Sequence, residues 1–151
     1  LIPRLGTQQT VGDIDIWEHW LPQQEIAQIV MLGTGTGVFS SILELLTTAP
    51  VFSYDIEDKT MGQIKLDHAI LLDVLTFQQE IADILQHPGT SLLFCDNGDK
   101  PKEVELYSPY LKINDYLVVH DWGTEIFDVP QEFVQVDPYF YATVMFRRAT
   151  G

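Results

Sequence analysis

Positive charge is scarce in this chain: 8 Lys and Arg stand against 22 Asp and Glu among 151 residues, for a formal net charge of −14. A surface of that sign repels phosphate backbones and anionic bilayers, which argues against nucleic acid and membranes as partners. Cysteine is nearly missing. The single thiol, Cys95, lies inside an apolar run, so an internal disulfide framework is excluded and a buried thiol is expected. Long hydrophobic runs are missing as well. No stretch has the length a bilayer-spanning helix needs and none reads as a signal peptide, so the expected compartment is the cytoplasm. Internal repeats and low-complexity tracts are also lacking, which sets solenoids and disordered linkers aside.

What is there is a core. The chain is 46% hydrophobic and 11% aromatic, enough at this length for one domain with a packed interior. Short apolar runs alternate with amphipathic stretches, the pattern of an α/β domain. The expected fold is doubly wound and Rossmann-like: a mostly parallel sheet, helices on both faces, and an antiparallel strand pair at the C-terminus. Residues 1–26 read as an N-terminal helical cover, with a helix over 13–21 capped by Asp13. Residues 27–122 read as the core, and residues 123–151 as the closing strands.

Within the core, strands are expected at 27–32, 51–56, 69–74, 91–95 and 116–119, and helices at 38–48, 76–85 and 101–112. Residues 58–67 are too polar and too few for a firm helix, and Pro109 predicts a break near the end of the last helix. The closing pair is expected at 133–136 and 141–146. Arg147 and Arg148 read as an exposed terminus.

Site-like residues recur where strands end: Gly33-Thr34-Gly35-Thr36-Gly37 after the first, Asp55 after the second, Asp73 after the third, Asp96 after the fourth, and His120-Asp121 after the fifth. Open α/β sheets bind ligands outside the carboxyl ends of their strands. For each residue alone the plainer reading is a cap or a turn; five together point to a site. The glycine turn narrows the ligand. A dinucleotide fingerprint needs a third glycine where Val38 stands, and a P-loop needs Gly-Lys-Ser/Thr where Gly37-Val38-Phe39 stands. Asp55, about twenty residues on, suits the hydroxyls of a ribose.

These residues carry a resemblance. Val30-Met31-Leu32-Gly33-Thr34-Gly35-Thr36-Gly37 followed by Tyr54-Asp55-Ile56 resembles the first two motifs of class I S-adenosylmethionine-dependent methyltransferases. Gly12-Asp13, Trp17, Leu92-Leu93-Phe94-Cys95-Asp96 and the run from Tyr110 to Asp121 extend it over residues 6–125. They are most similar to the cephalosporin hydroxylase-type group of small O-methyltransferases. The resemblance implies that Gly33, Thr34, Gly35 and Gly37 line the methionine and ribose part of S-adenosylmethionine. It implies that Asp55 holds the ribose, that Ile56 packs on the adenine, and that Asp73 and Val74 sit at the adenine edge. Asp96 would stand beside the reactive methyl group. The family usually carries an acid two residues before the first glycine; this chain has Met31.

Asp96, His120 and Asp121 also form a candidate catalytic and metal set, because adjacent strand ends bring them together. Two carboxylates and an imidazole suit a divalent ion, with Mg²⁺ as the first candidate. Without an ion, His120 or Asp96 is a candidate general base. The plainer reading makes His120 a core histidine and the acids turn caps. Lys100 reads best as a solvated surface charge. Trp122, Tyr139, Phe140 and Tyr141 read as core or oligomer contacts before they read as walls of an aromatic acceptor pocket.

The expected function is methyl transfer from S-adenosylmethionine to a hydroxyl of a small-molecule acceptor, with a homo-oligomer completing so small a pocket. The alternatives are a catalytically inactive cofactor- or nucleoside-binding regulatory module of the same fold, and a nucleotide- or sugar-nucleotide-binding fragment of a larger enzyme.

Overall fold

The computed structural model describes residues 9–60 and 62–151. The first eight residues of the expected cover, and with them the start of the resemblance at residue 6, lie outside the described residues. Among the described residues, seven strands form one sheet: β1 (Ile26–Leu32), β2 (Val51–Asp55), β3 (His68–Leu71), β4 (Thr90–Cys95), β5 (Tyr116–His120), β6 (Phe133–Gln135) and β7 (Thr143–Arg148). Their order is β3-β2-β1-β4-β5-β7-β6. The first five are parallel, and β7 runs antiparallel to both β5 and β6. The helices are α1 (Val11–Trp20), α2 (Val38–Leu46), α3 (Gln79–Leu85) and α4 (Lys100–Tyr107). The expected doubly wound fold with its antiparallel end is what the chain forms.

The near-continuous apolar strands follow from burial on both faces. In β1, Val30 and Leu32 point to one side and Ile29 and Met31 to the other; in β4, Leu93 and Cys95 oppose Leu92 and Phe94. The first side packs on Ile81 and Leu85 of α3 and on Val104 and Tyr107 of α4. The second packs on Trp17 of α1 and on Phe39 and Leu43 of α2. Trp17 touches Phe39, Phe94 and Phe140, which pins the N-terminal helix and the segment before β7 to the same face.

Several local expectations are corrected. Thr10, not Asp13, caps α1, its hydroxyl accepting from the Asp13 N–H at 3.0 Å. The Asp13 carboxylate turns away, fully buried, to accept the N–H groups of Tyr141 and Ala142. The strand expected at 69–74 ends at Leu71, so Asp73 and Val74 fall in the connection beyond it. The helix after it begins at Gln79 rather than residue 76, because Asp73 draws the backbone of Leu75 and Thr76 into a turn. The last strand runs on through Arg148, whose guanidinium lies 5.9 Å from the Phe133 ring centre and donates to the Leu111 carbonyl. Arg147 and Arg148 are strand residues, not a loose terminus. Pro109 does end α4, which gives way to a one-turn helix at Ser108–Tyr110.

Candidate functional site

Sheet order reverses direction of growth between β1 and β4, and a crevice opens there at the carboxyl ends of the strands. It is a cavity of about 560 Å³, lined by the glycine turn, Met31, Phe39, Asp55, Asp96, Lys100, Asp121 and Glu125 among others. That volume lies within the range of small-molecule sites.

The turn is built from backbone. Gly33, Gly35 and Gly37 all have positive φ, of 105°, 54° and 86°. The N–H groups of Gly33 and Thr34 both donate to the Tyr54 carbonyl, at 2.7 and 3.1 Å, tying the turn to the end of β2. Gly33 packs directly on the Asp96 backbone, where a Cβ would collide with the carbonyl oxygen. Gly35 is the opposite case: an added Cβ would meet nothing within 4 Å, so its backbone faces open cavity. Asp55 is 3% exposed and holds the turn from below. One carboxylate oxygen accepts from the Gly35 N–H at 3.0 Å and the other from the Ile56 N–H at 2.8 Å. Each oxygen keeps a further lone pair.

The far wall carries charge. Lys100 opens α4, and the sequence reading of it as a solvated charge is overturned: it is 5% exposed. Its ammonium lies 3.8 Å from Asp96 Oδ1 and 3.5 Å from Asp121 Oδ2, and it donates to Glu125. Burial pulls against that charge, but the Glu125 hydrogen bond and the charges of Asp96, Glu125 and Asp121 outweigh it and hold its pKa above the ordinary lysine value. Asp96 Oδ1 is buried with no hydrogen-bond partner among the described residues. Burial raises the Asp96 carboxyl to about 7, against the pull of Lys100.

Asp121 sits at φ 56°, a left-handed conformation uncommon for a residue with a side chain. The turn that follows sets it there, with the Thr124 and Glu125 N–H groups both donating to the Asp121 carbonyl. His120 is 3% exposed. Its Nε2 lies 3.4 Å from Asp121 Oδ1, and its Nδ1 lies 3.2 Å from Thr143 Oγ1 and 3.4 Å from Gln9 Nε2. Burial lowers its pKa, which favours the neutral ring. The partners fit a tautomer with Nδ1 accepting from Gln9 and Nε2–H turned to Asp121.

Asp96, His120 and Asp121 therefore converge as expected, each offering a ligand atom within 4.8 Å of the others. The donor set suits a divalent ion, but Lys100 already presses its positive charge on both carboxylates. A metal would have to displace it.

Other expected site residues lie elsewhere. Ile56 is 64% exposed and does not line the cavity. Val74 is fully buried in the core beneath α3, and the Asp73 carboxylate serves the turn at Leu75 and Thr76. Neither lines the cavity. Gly37 caps α2 and packs toward Thr60 and Ile64. Of the four aromatics, Phe140 packs against Trp17 and Trp122 against Phe146, both at tilted ring angles, while Tyr139 and Tyr141 are exposed.

Buried acids also set a pH dependence. Burial raises Glu103 to about 7 as well, although it accepts the Asn97 and Asp99 N–H groups. For Asp96 and Glu103 the folded pKa exceeds the unfolded one, from 3.8 and 4.5 respectively. The folded state thus binds more protons, so their stabilisation is complete below about pH 4 and is lost as pH rises through about 7. Repulsion from the net charge acts in the same direction. The melting temperature is expected to be several degrees higher at pH 5.5 than at pH 8, and Glu103→Gln is expected to flatten that slope. Differential scanning calorimetry across the range checks both; a melting temperature that rises toward pH 8 would count against the assignment.

No protein family and no curated protein matches the chain by sequence. Solved structures match it by shape. An S-adenosyl-L-methionine methyl transferase from Silicibacter pomeroyi superposes with a TM-score of 0.63 at 16% identity, over 92% of this chain and 93% of that one. The fold is that of the class I methyltransferases. An rRNA methylase from Streptococcus thermophilus matches with a TM-score of 0.54 at 14% identity, over 91% and 97% of the two chains. The MycE methyltransferase of the mycinamycin pathway, solved with Mg, SAH and mycinamycin VI, matches with a TM-score of 0.59 at 12% identity. That match takes in 89% of this chain and 48% of MycE. Among the described residues, no helix of this methyltransferase-like fold is long and apolar enough to cross a membrane.

Proposed function

We propose that this protein is an S-adenosylmethionine-dependent methyltransferase acting on a hydroxyl of a small molecule. The observation that carries the reading is the pairing, in one cavity, of an open glycine backbone braced by Asp55 with a carboxylate, Asp96, whose buried Oδ1 accepts no hydrogen bond among the described residues. The residues fit the cofactor: the space over Gly35 admits a close ligand, and the remaining lone pairs of Asp55 suit a ribose diol. When bound, S-adenosylmethionine supplies an electrophilic methyl group.

The chain's own residues do the rest. Gly33, Thr34 and Gly35 shape the floor, and Asp55 sets the ligand's register along it. Asp96 Oδ1 is placed to accept the proton of an incoming hydroxyl, its basicity raised by burial against the pull of Lys100. His120 and Asp121 fix the neighbouring wall. Positioning supplies most of the rate, since the acceptor oxygen must line up with the methyl carbon. No step here passes through a metal. The chain's charge favours a small acceptor over nucleic acid, even though one neighbour is an rRNA methylase.

Calorimetric titration with S-adenosylmethionine and S-adenosylhomocysteine tests the reading. Saturable heat is expected with both; none with either would sink it. Met31 favours a second reading. It is buried and lines the cavity where the resemblance calls for an acid, which suits a module that binds cofactor and has lost turnover. That module would bind in the same titration and transfer no methyl to any acceptor in a panel of phenols, alcohols and sugars.

A further inference from the structure

Three carboxylates from three places in the chain meet one ammonium at the cavity wall. Asp96 follows β4, Asp121 follows β5, and Glu125 lies in the turn beyond it; Lys100 touches all three. A buried ammonium is expensive unless paired, and this one is paired three times over. Two of these acids, Asp96 and Asp121, form with His120 a cluster whose geometry suits a divalent ion. An ion bound by Asp96 and Asp121 would sit beside the Lys100 charge, and Mg²⁺ tolerates little departure from short, regular oxygen coordination.

We propose that Lys100 is the resident cation of this cluster: its tethered ammonium holds the place between Asp96 and Asp121 that a divalent ion would otherwise take, so the native chain takes up neither Mg²⁺ nor Mn²⁺ there. The position on the fold explains how. Pro101 and the Asp99 cap fix the start of α4, with the Asp99 carboxylate accepting the Lys102 N–H at 3.1 Å. Lys100, the first residue of that helix, is thereby aimed back across the ends of β4 and β5. Its stem is covered, with the side chain 6% exposed, so the head cannot swing out to solvent without uncovering the stem. The Asp121 carboxylate bridges the two positive or donor partners, Lys100 through Oδ2 and His120 through Oδ1. Neither oxygen faces the cavity without one. The proposal concerns which cation the cluster holds, so it stands or falls separately from methyl transfer.

The test is Mn²⁺ titration of the full chain followed by water-proton relaxation, with Mg²⁺ as competitor. Four proteins are compared: native, Lys100→Met, Lys100→Arg and Asp121→Asn. Asparagine tolerates the left-handed backbone at position 121, so the last variant keeps its turn. The native chain is expected to show no uptake that Asp121→Asn removes. Lys100→Met frees the acids and is expected to bind Mn²⁺ at least roughly tenfold more tightly than the native chain, while Lys100→Arg keeps the charge and stays native-like. Native uptake that matches Lys100→Met, or that Asp121→Asn abolishes, overturns the proposal. If Lys100→Met fails to fold, the native and Asp121→Asn pair still decides. Titration of S-adenosylhomocysteine in chelator separates the two readings: its absence sinks the methyltransferase and leaves the cation result untouched.

Discussion

Gly33→Ala is expected to cost about 3 kcal/mol or more of folding stability and to abolish binding of S-adenosylhomocysteine. Two effects combine. Gly33 holds φ at 105°, outside what an alanine adopts without strain. A Cβ there also runs into the Asp96 carbonyl oxygen, with the Asp96 carbonyl carbon and the Asn97 nitrogen behind it. Those atoms are backbone and cannot rotate aside. The Asp96 N–H is itself committed to the Leu32 carbonyl at 2.9 Å, so the end of β4 has no room to retreat without breaking the sheet at the site. Strain of about 1–3 kcal/mol and overpacking of similar size add to a large share of the stability of a domain this small. Gly35→Ala is the matched control. Its φ of 54° costs about 1–2 kcal/mol for a side chain, and no atom stands in the way. Chemical denaturation of the two variants should therefore separate them by more than 1 kcal/mol, with Gly35→Ala folded but weakened in affinity because its methyl enters the cavity. Equal stabilities would show that the close approach of Gly33 to Asp96 is not what the turn requires.

That comparison also shows what the sequence makes legible. Glycine spacing and the Asp55 offset announce a ligand turn, since few other uses need three glycines between a strand and a helix. Which glycine touches backbone and which faces space is invisible in the spacing, because both have the same side chain. The strand ends were readable for a similar reason: apolar runs buried on two faces stop abruptly where polar residues begin, and Asp96, His120 and Asp121 converge as that reading implies. Asp73 and Val74 fall beyond the third strand rather than at its end because that strand stops before its apolar run does, at Leu71, and edge strands lose the burial that marks their limits. The burial of Lys100 is hidden in the sequence for a physical reason. Lysine is usually solvated, and nothing local in Asp99-Lys100-Pro101 reveals three acids converging from residues 96, 121 and 125. The signal is global: in a chain with so few cations, a lysine four residues after a strand-end Asp is a candidate partner for it. Asp13 is the same lesson with opposite sign. It resembles a helix cap, yet its partners lie well over a hundred residues away, at Tyr141 and Ala142.

Asp55→Asn is expected to weaken S-adenosylhomocysteine at least roughly tenfold, equivalent to about 1.4 kcal/mol, with a smaller loss of stability. The carboxylate accepts two backbone N–H groups, from Gly35 and Ile56, one on each oxygen. An amide offers one acceptor oxygen and one NH₂, so one of those N–H groups is left facing a donor. Each such bond to a charged acceptor is worth about 1.5–3 kcal/mol, and its loss falls on the turn whichever way the amide is flipped. If the amide keeps its oxygen on Ile56, Gly35 is released and the floor of the cavity loosens. If it keeps Gly35, the NH₂ turns toward Ile56 and that N–H loses its acceptor. In both cases the negative charge is gone, and with it the stronger acceptor for a ribose diol. Asp55→Ala removes both bonds and should lose binding outright while lowering the melting temperature further. Asp83→Asn, on the exposed face of α3 and far from the cavity, is the control for charge alone. Calorimetry of the three variants orders them as Asp83→Asn near native, Asp55→Asn weakened and Asp55→Ala without binding. A native affinity in Asp55→Asn, with its stability lowered, would mean that the carboxylate only braces the turn and that the ribose contact belongs to another group of the cavity.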